Sequence, residues 1–266
     1  MIESKTVGHK IAGAAHDARP LFFIADLHLS DAIPKTVAAF EHFIRVTANQ
    51  ASAVFILGDL FEFWIGDDVL SPSVSGERAE FARRIVRLLH TLSERGIRLF
   101  VMHGNRDFLL GDRFMKEAGA IELDDTFVLT AFGTRIVLAH GDGLCTADHG
   151  YQRFRRFARN RVAQKVFLAL PLQTRMGIGY RMRMKSHGAR SGGMSPKYDV
   201  TKKAVSALFI GSHTYTMIHG HTHRPTMHHE IEGTRWVLPD WELDATDAPR
   251  GGYLRFDGKG VCAVPL

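Results

Sequence analysis

Cysteine is almost absent: Cys145 and Cys262 are the only two in 266 residues. Two thiols exclude a disulfide framework and fit a reducing cytoplasm. Long hydrophobic runs are missing too. No stretch reaches the roughly 18 apolar residues of a membrane-spanning helix, and the apolar run 166–172 is short and contains Pro171. Residues 1–20 lack the apolar core of a signal peptide and are expected to form a flexible leader. A third absence is local. Segment 151–198 holds twelve Lys and Arg and no Asp or Glu.

What is present can build a core. Hydrophobic residues make up 45% of the chain, enough for a large α/β domain without staples. The net charge of +6 suits nucleic acid, an anionic membrane or a phosphorylated substrate, and by itself does not choose among them.

Five short apolar runs each end in a polar cluster. Run 21–25 leads into Asp26 and His28, and run 53–57 into Gly58 and Asp59. Run 99–102 leads into His103, Gly104, Asn105, Arg106 and Asp107, and run 136–139 into His140 and Asp142. Run 215–218 leads into His219, Gly220, His221 and His223. Runs of this length and composition read as buried strands. Helical spacing falls between the early ones: Val37, Phe40, Ile44 and Ala48 within 36–48, and Phe81, Ile85, Leu88, Leu89 and Leu92 within 80–94, closed by Gly96. Strand–helix alternation predicts a largely parallel sheet with crossover helices, whose ligands bind beyond the carboxyl ends of the strands. All five clusters should therefore converge. Segments 126–139, 228–238 and 252–264 read as antiparallel strands of a second sheet, and 151–198 as an inserted helical cap, helix-like to about 183 and Gly/Ser-rich after it.

The residue types point to metal chemistry. Asp26 and His28 alternate, which on an extended strand end aims both to one side. Asp59 and Asn105 each follow a glycine, which permits close approach. Carboxylate, imidazole and amide oxygen together suit Mn²⁺, Fe²⁺ or Zn²⁺ better than Ca²⁺ or a thiolate zinc site. Seven donors (Asp26, His28, Asp59, Asn105, His140, His221 and His223) exceed the needs of one tetrahedral ion and suit two ions sharing a carboxylate. Such ions sit about 3.5–4 Å apart, activate a water and stabilise phosphoryl charge.

The blocks Asp26-x-His28, Gly58-Asp59, Gly104-Asn105, His140 and Gly220-His221-x-His223 resemble the calcineurin-like metallophosphoesterases in order and context. The resemblance implies an αββα sandwich, two packed mixed β-sheets flanked by helices. Core segments 21–150 and 199–266 would enclose the cap 151–198. It implies one metal held by Asp26, His28, Asp59 and His223, and a second by Asp59, Asn105, His140 and His221, with Asp59 bridging and Mn²⁺ the expected ion. The strings IADLHLS, ILGDLFEFWIGDD, HGNRDFLLG, HGDGLCTAD and IHGHTHRP further resemble one branch of that superfamily, the diphosphatases that cleave UDP-2,3-diacylglucosamine in lipid A biosynthesis at the cytoplasmic face of the inner membrane. That branch has an Arg where most of the superfamily has a His after the metal-binding Asn. Arg106 stays protonated, so it cannot be a general acid, but it can clamp phosphate oxygens. The implied catalytic residues are Asp59, Asn105 and Arg106. Asn105, Arg106 and His221 are also implied substrate contacts, with Asp148 and Ser186 by position. Two further contacts fall on Arg190 and Gly193, where the family often has Asn and Lys. Lys197 is a candidate replacement, and Pro239-Asp240-Trp241-Glu242 differs from some members.

Structural alternatives stand beside these. His103 and His219 fit supporting roles. Asp107 and Asp142 fit either orientation of site groups or loop stabilisation, Asp67 and Asp68 fit caps of a turn or helix, and Trp64 fits packing. Phe154, Phe157, Val162, Phe167, Leu168, Leu170 and Leu172 fit either an acyl-chain groove or core between helices. Arg153, Arg155, Arg156, Arg159, Arg161 and Lys165 are expected to face anionic headgroups. A nuclease with the same centre, its cap gripping nucleic acid, is the competing enzyme. No recognised nucleic-acid module occurs, and nucleic acid is not the expected partner. A non-enzymatic membrane protein with a decayed metal site is the other alternative, opposed by the complete donor set.

Overall fold

The structure, a computed structural model, describes residues 18–190, 198–245 and 248–266, with backbone alone over 183–190. Most of the expected leader (1–17) lies outside the described residues. Its last part is tied down, since Ser52 donates its backbone N–H to the Pro20 carbonyl at 2.9 Å.

Strands β1 (Leu21–Ile24), β2 (Ala53–Leu57), β3 (Arg98–Met102) and β4 (Ala120–Leu123) pair in parallel in that order. Helices α1 (Pro34–Arg45), α2 (Glu77–Glu94) and α3 (Asp112–Ala118) make the crossovers. β1 and β2 are buried at every residue, as parallel strands covered on both faces must be. The α2 exit follows the expected glycine. Gly96 takes φ +71°, the Ile97 N–H reaches the Leu92 carbonyl at 2.9 Å, and the Gly96 N–H reaches Ser93 at 3.0 Å, which is a Schellman cap.

A second sheet has the order β5 (Thr126–Ala131), β6 (Thr134–Ala139), β7 (Thr216–His219), β9 (Thr234–Val237) and β8 (Thr226–His229). The side chains of Phe22, Ile24, Val54, Ile56 and Val101 pack under α1, α2 and α3. Alternate residues Phe23, Phe55, Phe100 and Met102 meet Leu129, Ile136, Leu138 and Ile218 of the second sheet. The Phe23, Phe55 and Phe100 rings stack in sequence at 4.9 and 4.6 Å. Helices α4 (His149–Ala158), α5 (Arg161–Leu168) and α6 (Leu172–Arg190) follow β6, and Val205 and Phe209 of α7 (Lys202–Ser212) cover the second sheet's outer face. The layers are helix, sheet, sheet, helix.

Two expectations are corrected. Strands β10 (Gly252–Asp257) and β11 (Gly260–Pro265) join the first sheet, where β10 pairs antiparallel with β1. Leu254 and Phe256 fill the same inter-sheet layer as Phe23, and that layer is what recruits them. The five site-bearing strands also do not share one sheet. β1, β2 and β3 belong to the first, and β6 and β7 to the second. The two sheets deliver their loops to a common edge, where the Gly220 N–H donates to the His140 carbonyl at 2.8 Å and the Trp241 N–H to the Asp26 carbonyl at 3.1 Å.

Candidate metal centre

The site loops after β1, β2 and β7 are strained. Among the described residues seven non-glycines have positive φ, and five of them are Asp26, His28, Asp59, His221 and His223. Left-handed backbone costs an L-residue on the order of 1–3 kcal/mol, and such residues gather where function demands them. This corrects the extended reading of Asp26 and His28, whose φ values are 54° and 50°. The reason is pairing: the Leu27 and His28 N–H groups both donate to the Asp59 carbonyl, at 2.9 and 3.0 Å, which curls the chain over the end of β2. Glycines make the close approach possible. A Cβ on Gly104 would lie 2.1 Å from Asp59 Oδ1, and one on Gly220 2.4 Å from Asp26 Oδ2.

The seven expected donors meet. Asp26, His28 and His223 form one group, and Asp59, His140 and His221 another, each with candidate donor atoms within 4.8 Å of one another. Asn105 Oδ1 joins the second group, 3.1 Å from His140 Nε2 and 2.8 Å from His221 Nδ1. Asp59 lies between the groups, its Oδ1 3.8 Å from His140 Nε2 and its Oδ2 3.8 Å from His28 Nε2.

The donor set calls for cations. His140 commits its Nδ1 proton to the Leu57 carbonyl at 2.9 Å, so its Nε2 lone pair faces the oxygens of Asn105 and Asp59. In the other group His28 and His223 bring their Nε2 atoms within 3.3 Å, and Asp26 Oδ1 is buried without a hydrogen bond, 3.6 Å from His223 Nε2. Ring nitrogens and carboxylate oxygens that face one another in a buried site need a proton or a cation between them. Carboxylates stand behind two of the imidazoles: Glu62 is 3.5 Å from His28 Nδ1, and Asp240 3.4 Å from His223 Nδ1. Such partners fix ring orientation and raise ligand basicity. Neither carboxylate was anticipated as a site group. For Glu62 the available signal was an acid within the apolar string FEFWI, which a buried strand exit tolerates only if the charge has a partner.

The electrostatics agree. Burial pushes the Asp59 carboxyl up to about 7 against the pull of His140. Burial opposes charge on His223, yet the Asp240 and Asp26 carboxylates push it up to about 10. Burial likewise opposes charge on His140, and the Asp59, Asp142 and Asp26 carboxylates raise it. Asp26 is held below the usual carboxylate range, because His223, His140 and His28 outweigh its burial. At neutral pH the metal-free centre holds protons that cations must expel, so apparent metal affinity should rise with pH through 6–8. Calorimetry in two buffers of different ionisation enthalpy should register release of about one to two protons per centre at pH 7. Affinity independent of pH would contradict this.

Other expected residues are distributed as follows. Arg106 donates its backbone N–H to Asp59 Oδ1 at 2.9 Å and places its side chain 3.7 Å from Glu62, at the rim of the centre. Asp148 caps α4, accepting from the Tyr151 N–H at 3.0 Å. Ser186 and Arg190 lie on α6 where side chains are not described, and Gly193 and Lys197 lie outside the described residues. Asp107 stabilises the loops: its carboxylate accepts from the N–H groups of Leu60 at 2.7 Å and Gly104 at 2.9 Å. Asp67 accepts from the Phe114 N–H in the first turn of α3, and from Trp64 Nε1, both at 2.9 Å. Trp64 is itself buried against Phe61 and Phe114. Asp68 pairs with the buried Arg175. His219 is buried beside Arg235, and burial pushes it down to about 4, so it serves uncharged behind Gly220. His103 contacts the Leu110 carbonyl at 2.8 Å.

The basic segment divides. Arg153, Arg156, Arg161 and Lys165 are exposed beside Phe157 and Val162, each 69% accessible, and Val166 at 65%. α4 and α5 contain no buried residue, so most of their apolar side chains are not core, although Phe167 packs partly against the first sheet's helical layer. Arg155 and Arg159 correct the expectation for them. They turn inward to Asp125 and Asp142, because those carboxylates, lying outside the basic segment, are the nearest compensation for their charge.

Residues 19–225 match the calcineurin-like phosphoesterase family. The chain is 47% identical over 256 residues to a UDP-2,3-diacylglucosamine hydrolase of Ralstonia nicotianae, covering 93% of this chain and 92% of that one. It is 42% identical to the protein of that name from Stutzerimonas stutzeri, covering 92% and 98%. The corresponding protein of Neisseria meningitidis serogroup C is 40% identical, covering 93% and 98%.

Proposed function

The chain belongs to the calcineurin-like phosphoesterase family, and from that premise we propose that it hydrolyses the diphosphate of UDP-2,3-diacylglucosamine to UMP and 2,3-diacylglucosamine 1-phosphate in lipid A biosynthesis. Near full-length likeness to hydrolases named for that substrate carries the reading. The enzyme is a metal-dependent hydrolase with a dimetal centre. We assign Asp26, His28, Asp59 and His223 to one ion and Asp59, Asn105, His140 and His221 to the other, with Mn²⁺ the expected metal. When bound, the ions supply Lewis-acid stabilisation of the phosphoryl oxygens and ease deprotonation of the attacking water. The position of Asp59 between the two groups, 3.8 Å from both His28 and His140, supports its assignment to both ions. Arg106, fixed at the rim, presents a permanently charged fork to the diphosphate. It donates no proton, and the phosphate leaving group requires little protonation. The remaining substrate contacts proposed are Asn105, His221, Asp148, Ser186, Arg190 and Gly193.

The direct test incubates purified protein and Mn²⁺ with the diacylated nucleotide sugar and follows UMP and the sugar 1-phosphate by mass spectrometry. Intact substrate alongside cleavage of other phosphodiesters would transfer the protein to the nuclease class.

Segment 151–198 is proposed as a cap over core 21–150 and 199–266, meeting the cytoplasmic face of the inner membrane. Among the described residues no helix is long and apolar enough to cross a membrane. Exposed Phe157, Val162 and Val166 beside four exposed cations support peripheral contact. Replacing these three by Ser should weaken partition onto anionic vesicles at least ~100-fold, since each apolar side chain contributes about 1 kcal/mol or more on burial. Vesicle co-sedimentation unchanged by the triple substitution would remove this proposal.

A further inference from the structure

Helix α4 and its C-cap residue present Tyr151, Arg155 and Arg159 to one side, at i, i+4 and i+8. Each reaches a loop of the second donor group. Arg159 Nη2 donates to the carbonyls of His103 and Gly104, both at 3.3 Å, the two residues immediately before Asn105. Its Nη1 holds Asp125 Oδ1 at 2.6 Å. Arg155 Nε donates to Asp142 Oδ2 at 2.8 Å, two residues after His140, and its Nη2 pairs with Asp125. Tyr151 Oη donates to Asp142 Oδ2 at 2.5 Å, and its ring stacks near His221. Gln152 Nε2 adds a bond to the Asp142 carbonyl at 2.8 Å. None of these contacts reaches Asp26, His28 or His223; Glu62 stands behind His28 and Asp240 behind His223, and Asp26 Oδ2 accepts from the His221 N–H at 2.7 Å.

We propose that Arg155 and Arg159 are positioning residues that hold the Asn105 and His140 loops in register, so that seating of the cap's first helix and completion of the second metal subsite are one event. The inference rests on the dimetal reading above. The physical reason is geometric. Asp107 and the Arg106 backbone tie the Asn105 loop to the Asp59 loop, and Arg159 adds the grip on the carbonyls of the two residues before Asn105. Arg159 grips both carbonyls with one nitrogen while its other nitrogen is pinned to Asp125. A planar fork can do this, and a lysine ammonium cannot reach all three acceptors at once. Asp125 lies in the turn between β4 and β5, where the chain passes from the first sheet to the second, so the clamp is referenced to both sheets. The cap's arginines thus form two populations, an outward set and an inward set that organises the centre.

Manganese titration of the full chain, followed by calorimetry and by the electron paramagnetic resonance of free Mn²⁺, tests this without turnover. Wild type should bind two ions. Arg159→Met should weaken one ion about 10–100-fold and leave the other within about twofold, the range expected when a group supporting a metal ligand is lost. Arg159→Lys should recover little. Because Arg159→Met can unseat α4, Asp125→Asn is the second variant. It removes the shared anchor at a half-exposed loop position and should weaken the same single ion about threefold to tenfold. Two ions bound by both variants as tightly as by wild type, or both ions weakened equally, would overturn the inference. Fewer than two ions bound by wild type would instead overturn the dimetal reading.

Discussion

Asp59→Asn is expected to lower turnover of the diphosphate substrate on the order of 10³-fold or more, and at the same time to stabilise the metal-free protein at pH 8. The substitution preserves shape. Asn keeps an oxygen to accept from the Arg106 N–H, a bond of 2.9 Å in the native loop, and keeps the backbone in place. It removes the charge and turns the second oxygen, which faces His28 at 3.8 Å, into a donor. One ion should then be lost or bound far more weakly, which metal analysis after gel filtration would show. The stability gain follows from burial. Asp59 has its folded pKa raised to about 7, above the ordinary 3.8, so in the metal-free protein its ionised form is disfavoured by folding. That penalty begins as pH rises past the unfolded value and is complete above about 7. Attraction to His140 reduces it without reversing it, since the net shift remains upward. The Asn variant escapes the penalty. Its advantage should be absent near pH 4, grow towards pH 7 and reach at least ~1 kcal/mol, about 2–4 °C in Tm at this chain length. Loss of activity with loss of stability across the whole range would make Asp59 a structural residue.

The convergence of the seven expected donors was legible in the sequence because buried strands leave a distinctive trace: a mostly apolar run, broken by the first group allowed to face a ligand. What the sequence withheld has physical causes. Periodicity reports which faces of a strand are buried but not which strand lies beside it, so the antiparallel strand character of β10 is legible in the sequence while the sheet it joins is not. β4 escaped notice because it is an edge strand with Ile121 and Glu122 outward. α7 escaped because its core contacts are few, mainly Val205 and Phe209, while Ile210 points to solvent. The left-handed turns at Asp26 and His28 had an available signal, since Asp and His tolerate that region better than most residues, but alternation favoured an extended reading. The basic segment misled for a different reason. Counting acids within it returned none, whereas the acids that neutralise Arg155 and Arg159 stand at positions 125 and 142 on other elements.

Arg106→Ala should lower kcat/KM about 10²–10³-fold with the metal content unchanged, the size of effect seen when one preorganised donor to a developing oxyanion is removed. The separation from Asp59 is built into the loop. The Arg106 backbone already does its share for the centre, donating to Asp59 Oδ1 and accepting from the Trp64 N–H at 3.1 Å, and alanine keeps both bonds. Only the guanidinium is lost. It lies mostly buried at the rim, 3.7 Å from Glu62, so it is held in place before any substrate arrives and contributes little ordering cost on binding. If its task is to neutralise charge that grows on the diphosphate during bond cleavage, the loss falls on kcat; if it only grips the ground state, the loss falls on KM. The rim position beside the donor groups favours the kcat effect. Arg106→Lys should recover part of the rate, because a point charge remains, but not all, because two oxygens can no longer be held by one planar fork. Loss of bound metal in Arg106→Ala, in step with activity, would show that the side chain holds the loop rather than the substrate.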